Sequence, residues 1–285
     1  MKEIVIISGK GGTGKTTVTA AFASLAERKV MADCDVDAAD LHLILEPEIR
    51  SQNEFSGGKR AEIRPEDCIE CGKCIEVCHF DAIDQDYIID PVACEGCGVC
   101  VWFCPAEAID FDEAVNGEWY ISDTRFGPLV HARLGIAEEN SGKLVTLVRR
   151  EAKALAEEQG LDYIIVDGAP GVGCPVISSI TGANVVLIVT EPTLSGLHDL
   201  KRVASLASGH FDIPTFICIN KHDINPEMTE LIETFCHEQN LVLAGKIPYD
   251  AVVTDAMVHA RTVIEHGNGQ VADAIRNIWQ RIVVE

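Results

Sequence analysis

The sequence predicts an α/β protein: a doubly wound, mostly parallel sheet with a small α+β domain inserted into it. Three observations carry that expectation. Short, β-branched, nearly all-apolar runs alternate with helix-compatible segments, which is how a parallel sheet covered on both faces reads. A glycine-rich loop follows the first of those runs. Eight of the twelve cysteines lie between Cys68 and Cys104, in a stretch where the alternation stops.

The 285 residues suggest about two domains. Asp plus Glu number 45 against 23 Lys plus Arg, a formal charge of −22. That balance argues against a broad nucleic-acid surface, which needs concentrated basic side chains. A hydrophobic share of 47% supplies a core and excludes wholesale disorder. No apolar run approaches the roughly 18 residues of a membrane span, and residues 1–9 are too short for a signal peptide. A cytoplasmic protein is expected. In a reducing compartment twelve thiols point to metal ligands, catalytic groups or small core residues rather than disulfides.

The first strand is expected at 3–8, followed by the loop Gly9-Lys-Gly-Gly-Thr-Gly-Lys-Thr16 and a helix over 17–27. A second strand at 29–32 ends in the acidic turn Asp33-Cys-Asp-Val-Asp37. Further strands are expected at 163–166, 185–189 and 215–219, with helices at 141–159, 193–208 and 271–282. The insert spans 58–115, between a first part at 1–57 and a second at 116–285. Its flanks, Ser56-Gly-Gly-Lys59 and Asn116-Gly117, have the composition of junctions. After it, 119–124 and 130–134 are expected to form a hairpin.

Gly9-x4-Gly14-Lys15-Thr16 fits the P-loop pattern and stands where it has meaning, after a strand and before a helix. Gly9, Gly11, Gly12 and Gly14, with Thr13, let backbone amides converge on phosphate oxygens, and the helix N-terminus adds partial positive charge. Lys15 would pair with the β- and γ-phosphates, and Thr16 would offer its hydroxyl to Mg²⁺. Asp167, at the tip of a buried strand, is the expected outer partner of that Mg²⁺. Asp35 is the candidate for positioning the attacking water, with Asp33 and Asp37 competing for the role.

With its second lysine at Lys10, the loop resembles the deviant P-loop of the MinD/ParA ATPases, which have nitrogenase iron protein and the Mrp-type iron–sulfur carriers as relatives. The resemblance extends to Asp35, to Asp167-Gly-Ala-Pro-Gly171, and to Asn220 and Ile247-Pro-Tyr-Asp250. It implies a deviant Walker A P-loop NTPase fold, ATP as nucleotide, and a homodimer in which Lys10 reaches the partner's phosphates. It also implies that Thr17 and Gly171 lie along the nucleotide, with Asn220, Pro248 and Asp250 near the base. Asn220-Lys-His-Asp223 fits the guanine-reading pattern of GTPases as well, so GTP stays open beside ATP.

The insert carries an internal repeat of period 26. Cys68-Ile-Glu-Cys-Gly-Lys-Cys-Ile-Glu-Val-Cys78 matches Cys94-Glu-Gly-Cys-Gly-Val-Cys-Val-Trp-Phe-Cys104, and Ala82-Ile-Asp84 answers Ala108-Ile-Asp110. Both runs read C-x2-C-x2-C-x3-C, the bacterial ferredoxin spacing, in which the fourth cysteine ligates the other cluster. One [4Fe-4S] cluster would use Cys68, Cys71, Cys74 and Cys104; the second would use Cys94, Cys97, Cys100 and Cys78. Zinc is the competing metal for paired C-x2-C motifs, but runs of four with a three-residue last gap do not look like zinc knuckles. The first run ends Cys78-His79, where the pattern expects proline, so the two cluster potentials are expected to differ. The whole resembles a MinD-superfamily ATPase with an inserted 2[4Fe-4S] ferredoxin module.

Cys174 follows Asp167 by seven residues; a small buried thiol is the leading expectation and a bridging-cluster ligand the other. Cys34, Cys218 and Cys236 are expected in the core. The C-terminal helix, with only Arg276 and Arg281 as basic residues, is expected to pack rather than bind membrane. Three functions follow: an ATPase coupled to electron transfer through the clusters, a redox-sensing regulatory or positioning ATPase, and an iron–sulfur carrier. The first two need a protein partner, redox or regulatory, that the sequence does not identify.

Overall fold

The computed structural model describes residues 1–135 and 141–284. Two compact units divide the chain: one comprises Met1–Gln52, Tyr120–Ala132 and the chain from Ser141, the other Asn53–Trp119 and the short segment from Arg133. The chain runs β1 (Lys2–Ser8), α1 (Lys15–Leu25), β2 (Lys29–Asp33), α2 (Leu41–Leu45) and β3 (Glu48–Ile63), which leads into the second unit. There it forms α3 (Lys73–Val77) and α4 (Val99–Phe103), and it returns along β4 (Ile109–Thr124) to β5 (Gly127–Leu134). The remainder is α5 (Ser141–Gln159), β6 (Tyr163–Pro170), α6 (Cys174–Ile180), β7 (Val185–Thr190), α7 (Leu194–Ala204), β8 (Thr215–Asn220) and α8 (Pro226–Glu238). It ends with β9 (Val242–Ile247), α9 (Val252–Val258), α10 (Val263–His266) and α11 (Gln270–Val284).

In the first unit the strand order is β5-β2-β6-β1-β7-β8-β9, and each adjacent pair is parallel. The all-apolar strand sequences follow from this placement. Ile4 to Ile7 of β1 and Val186 to Val189 of β7 are fully buried, as strands covered on both faces must be. Gly168 in β6 allows close packing, since a Cβ there would lie 2.7 Å from Ile7 Cγ2. On one face Phe22 of α1 and Tyr163 meet Trp279 of α11, with ring centroids 5.1 and 5.5 Å apart. Ile275, Ile278 and Ile282 complete that contact, so α11 packs into the core as expected. Its C-terminal end is held by Lys2 Nζ, which donates to Ile282 O at 2.7 Å, a cation where the helix dipole is negative.

Several expectations change in detail. Asp167 does not end its strand: β6 continues to Pro170. The helix expected at 193–208 stops at Ala204 and becomes a π-helical turn, Ser205–His210. The second unit begins at Asn53 rather than 58 and its main segment ends at Trp119 rather than 115. Gly57, Gly58 and Asn116 are not turn residues but lie inside the long strands β3 and β4. The Asn116 side-chain oxygen accepts from the amides of Gly57 and Gly58 at 2.9 and 3.0 Å, which uses residues of turn composition inside extended chain. The hairpin expected after the insert corresponds to the ends of β4 and β5, joined by Arg125-Phe126.

The second unit repeats its backbone with the period of its sequence. Gly72 and Gly98 precede α3 and α4 with φ of 74° and 72°, and Cys78 and Cys104 follow the helices in matching extended conformations. Positive φ recurs at Glu70 and Gly96, and again at Asp81 and Glu107. Its core consists of Ala61, Cys74, Ile83, Cys100 and Ile109, with Cys78, Cys94 and Cys104 packed against it.

Candidate functional site

The C-terminal ends of β1, β2, β6, β8 and β9 carry the residues singled out in the first unit. This is the edge at which open α/β sheets bind ligands, here where β1 lies between β6 and β7. The loop from Gly9 to Gly14 joins β1 to α1. Gly12 and Gly14 have φ of 80° and 91°, a region that glycine occupies without strain. A Cβ on Gly9 would collide with Asp199 and one on Gly14 with the Asn220 side chain, whereas Gly11 and Gly12 face open space. Asn220 Nδ2 donates to Thr13 O at 2.8 Å and so ties the loop to the end of β8. Thr13 Oγ1 is buried and has no hydrogen-bond partner.

Lys15 opens α1 with its ammonium among carboxylates: Nζ is 2.8 Å from Asp167 Oδ1 and 3.3 Å from Asp35 Oδ2. Burial pulls this lysine down, but Asp167 and then Asp35 outweigh it and hold it up at about 12. Asp167 is fully buried and accepts three side-chain hydrogen bonds: Lys15 and Thr19 Oγ1 (2.9 Å) on Oδ1, and Thr16 Oγ1 (2.7 Å) on Oδ2. Thr19 was not legible as a site residue. Its signal is positional, since it stands one helical turn after Lys15, where it also donates to Lys15 O.

Asp35 lies two residues beyond β2, half-buried, and burial raises its carboxyl above the usual range. Asp33 plays a different part from its competitor. It is fully buried, and its oxygens accept from the amides of Asp35 and Leu41, both at 3.2 Å. Burial, then the Asp167 charge, pushes its carboxyl well above the usual range. Asp33 therefore shapes the turn that presents Asp35. Asp37 is exposed.

Lys10 Nζ lies 3.1 Å from Ser195 Oγ, 3.5 Å from Thr193 Oγ1 and 3.8 Å from Glu191 Oε2. Glu191 also takes Lys221 at 2.5 Å. Gly171, with φ of 93°, donates its amide to Ser8 O at 2.8 Å and brings the segment after β6 against the end of β1. Beside the loop lies a cavity of about 150 Å³, lined by Gly14, Thr17, Asn220, Pro248 and Asp250 among others. Asp250 Oδ1 caps Val252 N at 2.9 Å. Asp223 does not line this cavity; its carboxylate accepts from Tyr249 N at 2.7 Å, a bond that holds its carboxyl below the usual range.

In the second unit the eight thiols are unpaired with one another and fall into two sets. Cys68, Cys71, Cys74 and Cys104 line one cavity. Cys78, Cys94, Cys97 and Cys100 line another. The fourth cysteine of each run thus sits with the first three of the other. Ala108 N donates to Cys104 Sγ at 3.4 Å. His79 is exposed. The remaining thiols divide: Cys34, Cys218 and Cys236 are buried as expected, but Cys174 is exposed at the start of α6 and not a buried thiol.

A glycine loop that leads from β1 into α1, with Lys15 paired to Asp167 behind it, makes this a P-loop nucleotide-binding protein. Residues 4–263 match the CobQ/CobB/MinD/ParA nucleotide binding domain, and the chain belongs to that family. It is 34% identical over 283 residues to an uncharacterised protein of Methanocaldococcus jannaschii, covering 98% of this chain and 96% of that one. The cell division ATPase MinD of Pyrococcus furiosus has a similar structure, with a TM-score of 0.60 and 20% identity over 99% of this chain and 98% of that one. The septum site-determining protein MinD of Pyrococcus horikoshii, solved with Mg-ADP, aligns with a TM-score of 0.59 and 18% identity over 99% and 95%. Among the described residues, no helix is long and apolar enough to cross a membrane.

Proposed function

We propose that the protein is a dimeric, Mg²⁺-dependent ATPase carrying two [4Fe-4S] clusters, in which nucleotide state governs electron transfer to a protein partner. The observation that carries this reading is the sorting of eight thiols into two four-cysteine cavities in a chain that also has a complete phosphate loop. The residues fit both groups. The loop offers a partnerless Thr13 hydroxyl and open space over Gly11 and Gly12. Each thiol set supplies the four soft donors that an iron–sulfur cluster takes.

Lys15 neutralises phosphate charge, and its desolvated position makes that interaction stronger than in water. Thr16 and Asp167 place two hard oxygens 2.7 Å apart, as an inner and an outer partner of Mg²⁺. Asp35 orients the attacking water. The adenine reading is favoured over guanine because Asp223 is absent from the lining of the cavity and accepts from the Tyr249 amide. Lys10 belongs to the loop and, on leaving Ser195 and Glu191 of its own chain, would reach a second protomer's phosphates. The clusters supply one-electron capacity. The cysteines hold them, and burial of Cys74 and Cys100 keeps part of each site dry. From Asp35 the chain passes through α2 directly into β3 and the second unit, a short covalent path from nucleotide site to thiols.

The test is an anaerobic redox titration of the reconstituted protein by EPR, with and without Mg-ATP. Binding coupling is reciprocal, so a nucleotide that moves a potential must bind the two redox states differently. A shift of about 59 mV, a tenfold affinity difference for one electron, is the expected outcome. Unmoved potentials overturn the coupling, and EPR-silent protein without iron overturns the clusters.

A further inference from the structure

Away from the phosphate loop and the thiols, a third group of metal-seeking side chains comes together near the end of the first unit. Asp255 lies on α9, His259 follows that helix, and His266 ends α10. His259 stands four positions after Asp255, which puts both on one helical face. The turn at 260–262 returns the chain so that His266 meets them. His266 Nε2 is 2.7 Å from Asp255 Oδ2, and His259 Nδ1 is 3.7 Å from Asp255 Oδ1. The two imidazoles stack with centroids 5.8 Å apart and planes 27° from parallel. One donor atom from each residue lies within 4.8 Å of the other two.

We infer that Asp255, His259 and His266 form a binding site for a divalent transition-metal ion of the Zn²⁺ type. Two imidazoles and one carboxylate are borderline donors suited to Zn²⁺ and its neighbours rather than to Mg²⁺ or Ca²⁺. Tetrahedral bonds of 2.0–2.1 Å place ligand atoms about 3.3 Å apart. The separations of 2.7 Å to one Asp255 oxygen and 3.7 Å to the other lie on either side of that value, and His259 Nδ1, which sits 2.7 Å from the Asp255 carbonyl oxygen, turns from it to ligate. Asp255 and His259 are exposed, and water completes the coordination. The scaffold is already set: Thr262 and Glu265 form a capping box at the start of α10, and Arg125 pairs with Glu265 at 2.8 Å. Ligation cross-links α9 to α10. On α9, Val253 and Thr254 also line the cavity beside the phosphate loop.

The cysteines bind the same metals, so the test separates the two donor types. The full chain is titrated with Co²⁺, whose thiolate complexes show intense near-ultraviolet charge transfer while imidazole–carboxylate complexes show only weak visible bands. The wild type is expected to take up one equivalent more than His259→Ala or His266→Ala, with visible bands alone in the difference spectrum. At that site each variant is expected to bind more than tenfold more weakly. Zn²⁺ is expected to raise the melting temperature of the wild type above any rise in the variants. Equal stoichiometry and affinity in all three proteins would mean a hydrogen-bonded trio only and overturn the site. So would a lost equivalent that carries thiolate charge transfer.

Discussion

At the scale of single residues, the first unit is organised around one buried ammonium. Lys15 faces Asp167 and Asp35 and lies close enough to Asp33 to feel its charge. Removing one partner of a buried ion pair leaves an uncompensated charge, at a cost of about 3–5 kcal/mol. Lys15→Ala is therefore expected to lower unfolding free energy by about 3 kcal/mol at pH 7 and to abolish nucleotide binding. Asp33 and Asp35, whose carboxyls burial raises above the usual range, protonate first and relieve the uncompensated charge, so the stability difference should shrink between pH 7 and 4.5 in urea melts; a constant difference would sink this account. His131 has the opposite dependence. Burial, then the nearby His42, holds it down at about 4, and its Nε2 lies 2.9 Å from Ser122 Oγ. Between about pH 6.5 and 4 the unfolded chain binds the proton that the folded one refuses, so stability falls as pH falls, by at most about 1.4 kcal/mol per pH unit. His131→Gln should flatten the midpoint-against-pH curve in that window. The motif made Lys15, Thr16 and Asp167 legible. Thr19 and the Asp33 bracket were not, because no spacing rule marks a hydroxyl one turn into a helix or a carboxylate turned back onto its own loop.

At the scale of elements, apolar continuity made the central strands readable and close approach decided where helices sit. A Cβ on Gly245 of β9 would lie 2.7 Å from Ile278 Cγ1 of α11. Gly245→Ala is expected to push α11 off the sheet and cost about 1–3 kcal/mol. Ile278→Ala alone should cost about 2–5 kcal/mol through the cavity it leaves. In the double variant the new methyl occupies space the isoleucine vacates, so the two losses should sum to less than their parts. Strict additivity in chemical denaturation would show that the helix does not rest on that glycine. The same reasoning explains what the sequence concealed. Strands β3 and β4 carry charged and glycine residues and bury only a minority of their side chains fully, so neither shows the apolar run that betrays β1 or β7. Short helices such as α2 and α10 are set by local caps and packing rather than by periodicity. Helix α5, by contrast, has the bounds its amphipathic pattern predicts.

At the scale of the whole molecule, the period-26 repeat raises a question of connectivity that the two cavities answer in one way. If each run of four cysteines served its own metal group, Cys104 would belong with Cys94, Cys97 and Cys100. It lines the cavity of Cys68, Cys71 and Cys74 instead, and Cys78 has made the reciprocal exchange. Such an exchange makes the two halves of the second unit depend on each other, since neither thiol set is complete within one half of the repeat. Pairs of substitutions read the arrangement directly. Cys68→Ser with Cys104→Ser strikes one cavity twice, so after anaerobic reconstitution iron content should fall to about half, as with either single change. Cys68→Ser with Cys78→Ser strikes both cavities, and iron should fall to near zero. Uncrossed ligation inverts the two results: the 68/104 pair would empty the protein and the 68/78 pair would leave about half. Iron and acid-labile sulfide measured together on these two double variants distinguish a crossed pair of clusters from two independent ones, and sulfide-free protein that retains metal would indicate zinc instead. Loss of iron should also expose what the metal contributes to folding. Five of the residues that form or pack against the small core of this unit are cysteines of the two proposed ligand sets, so a cluster bound there would contribute part of its binding free energy to folding. Calorimetry of the 68/78 double variant is expected to show a lowered transition for the second unit, with the transition of the parallel sheet little changed.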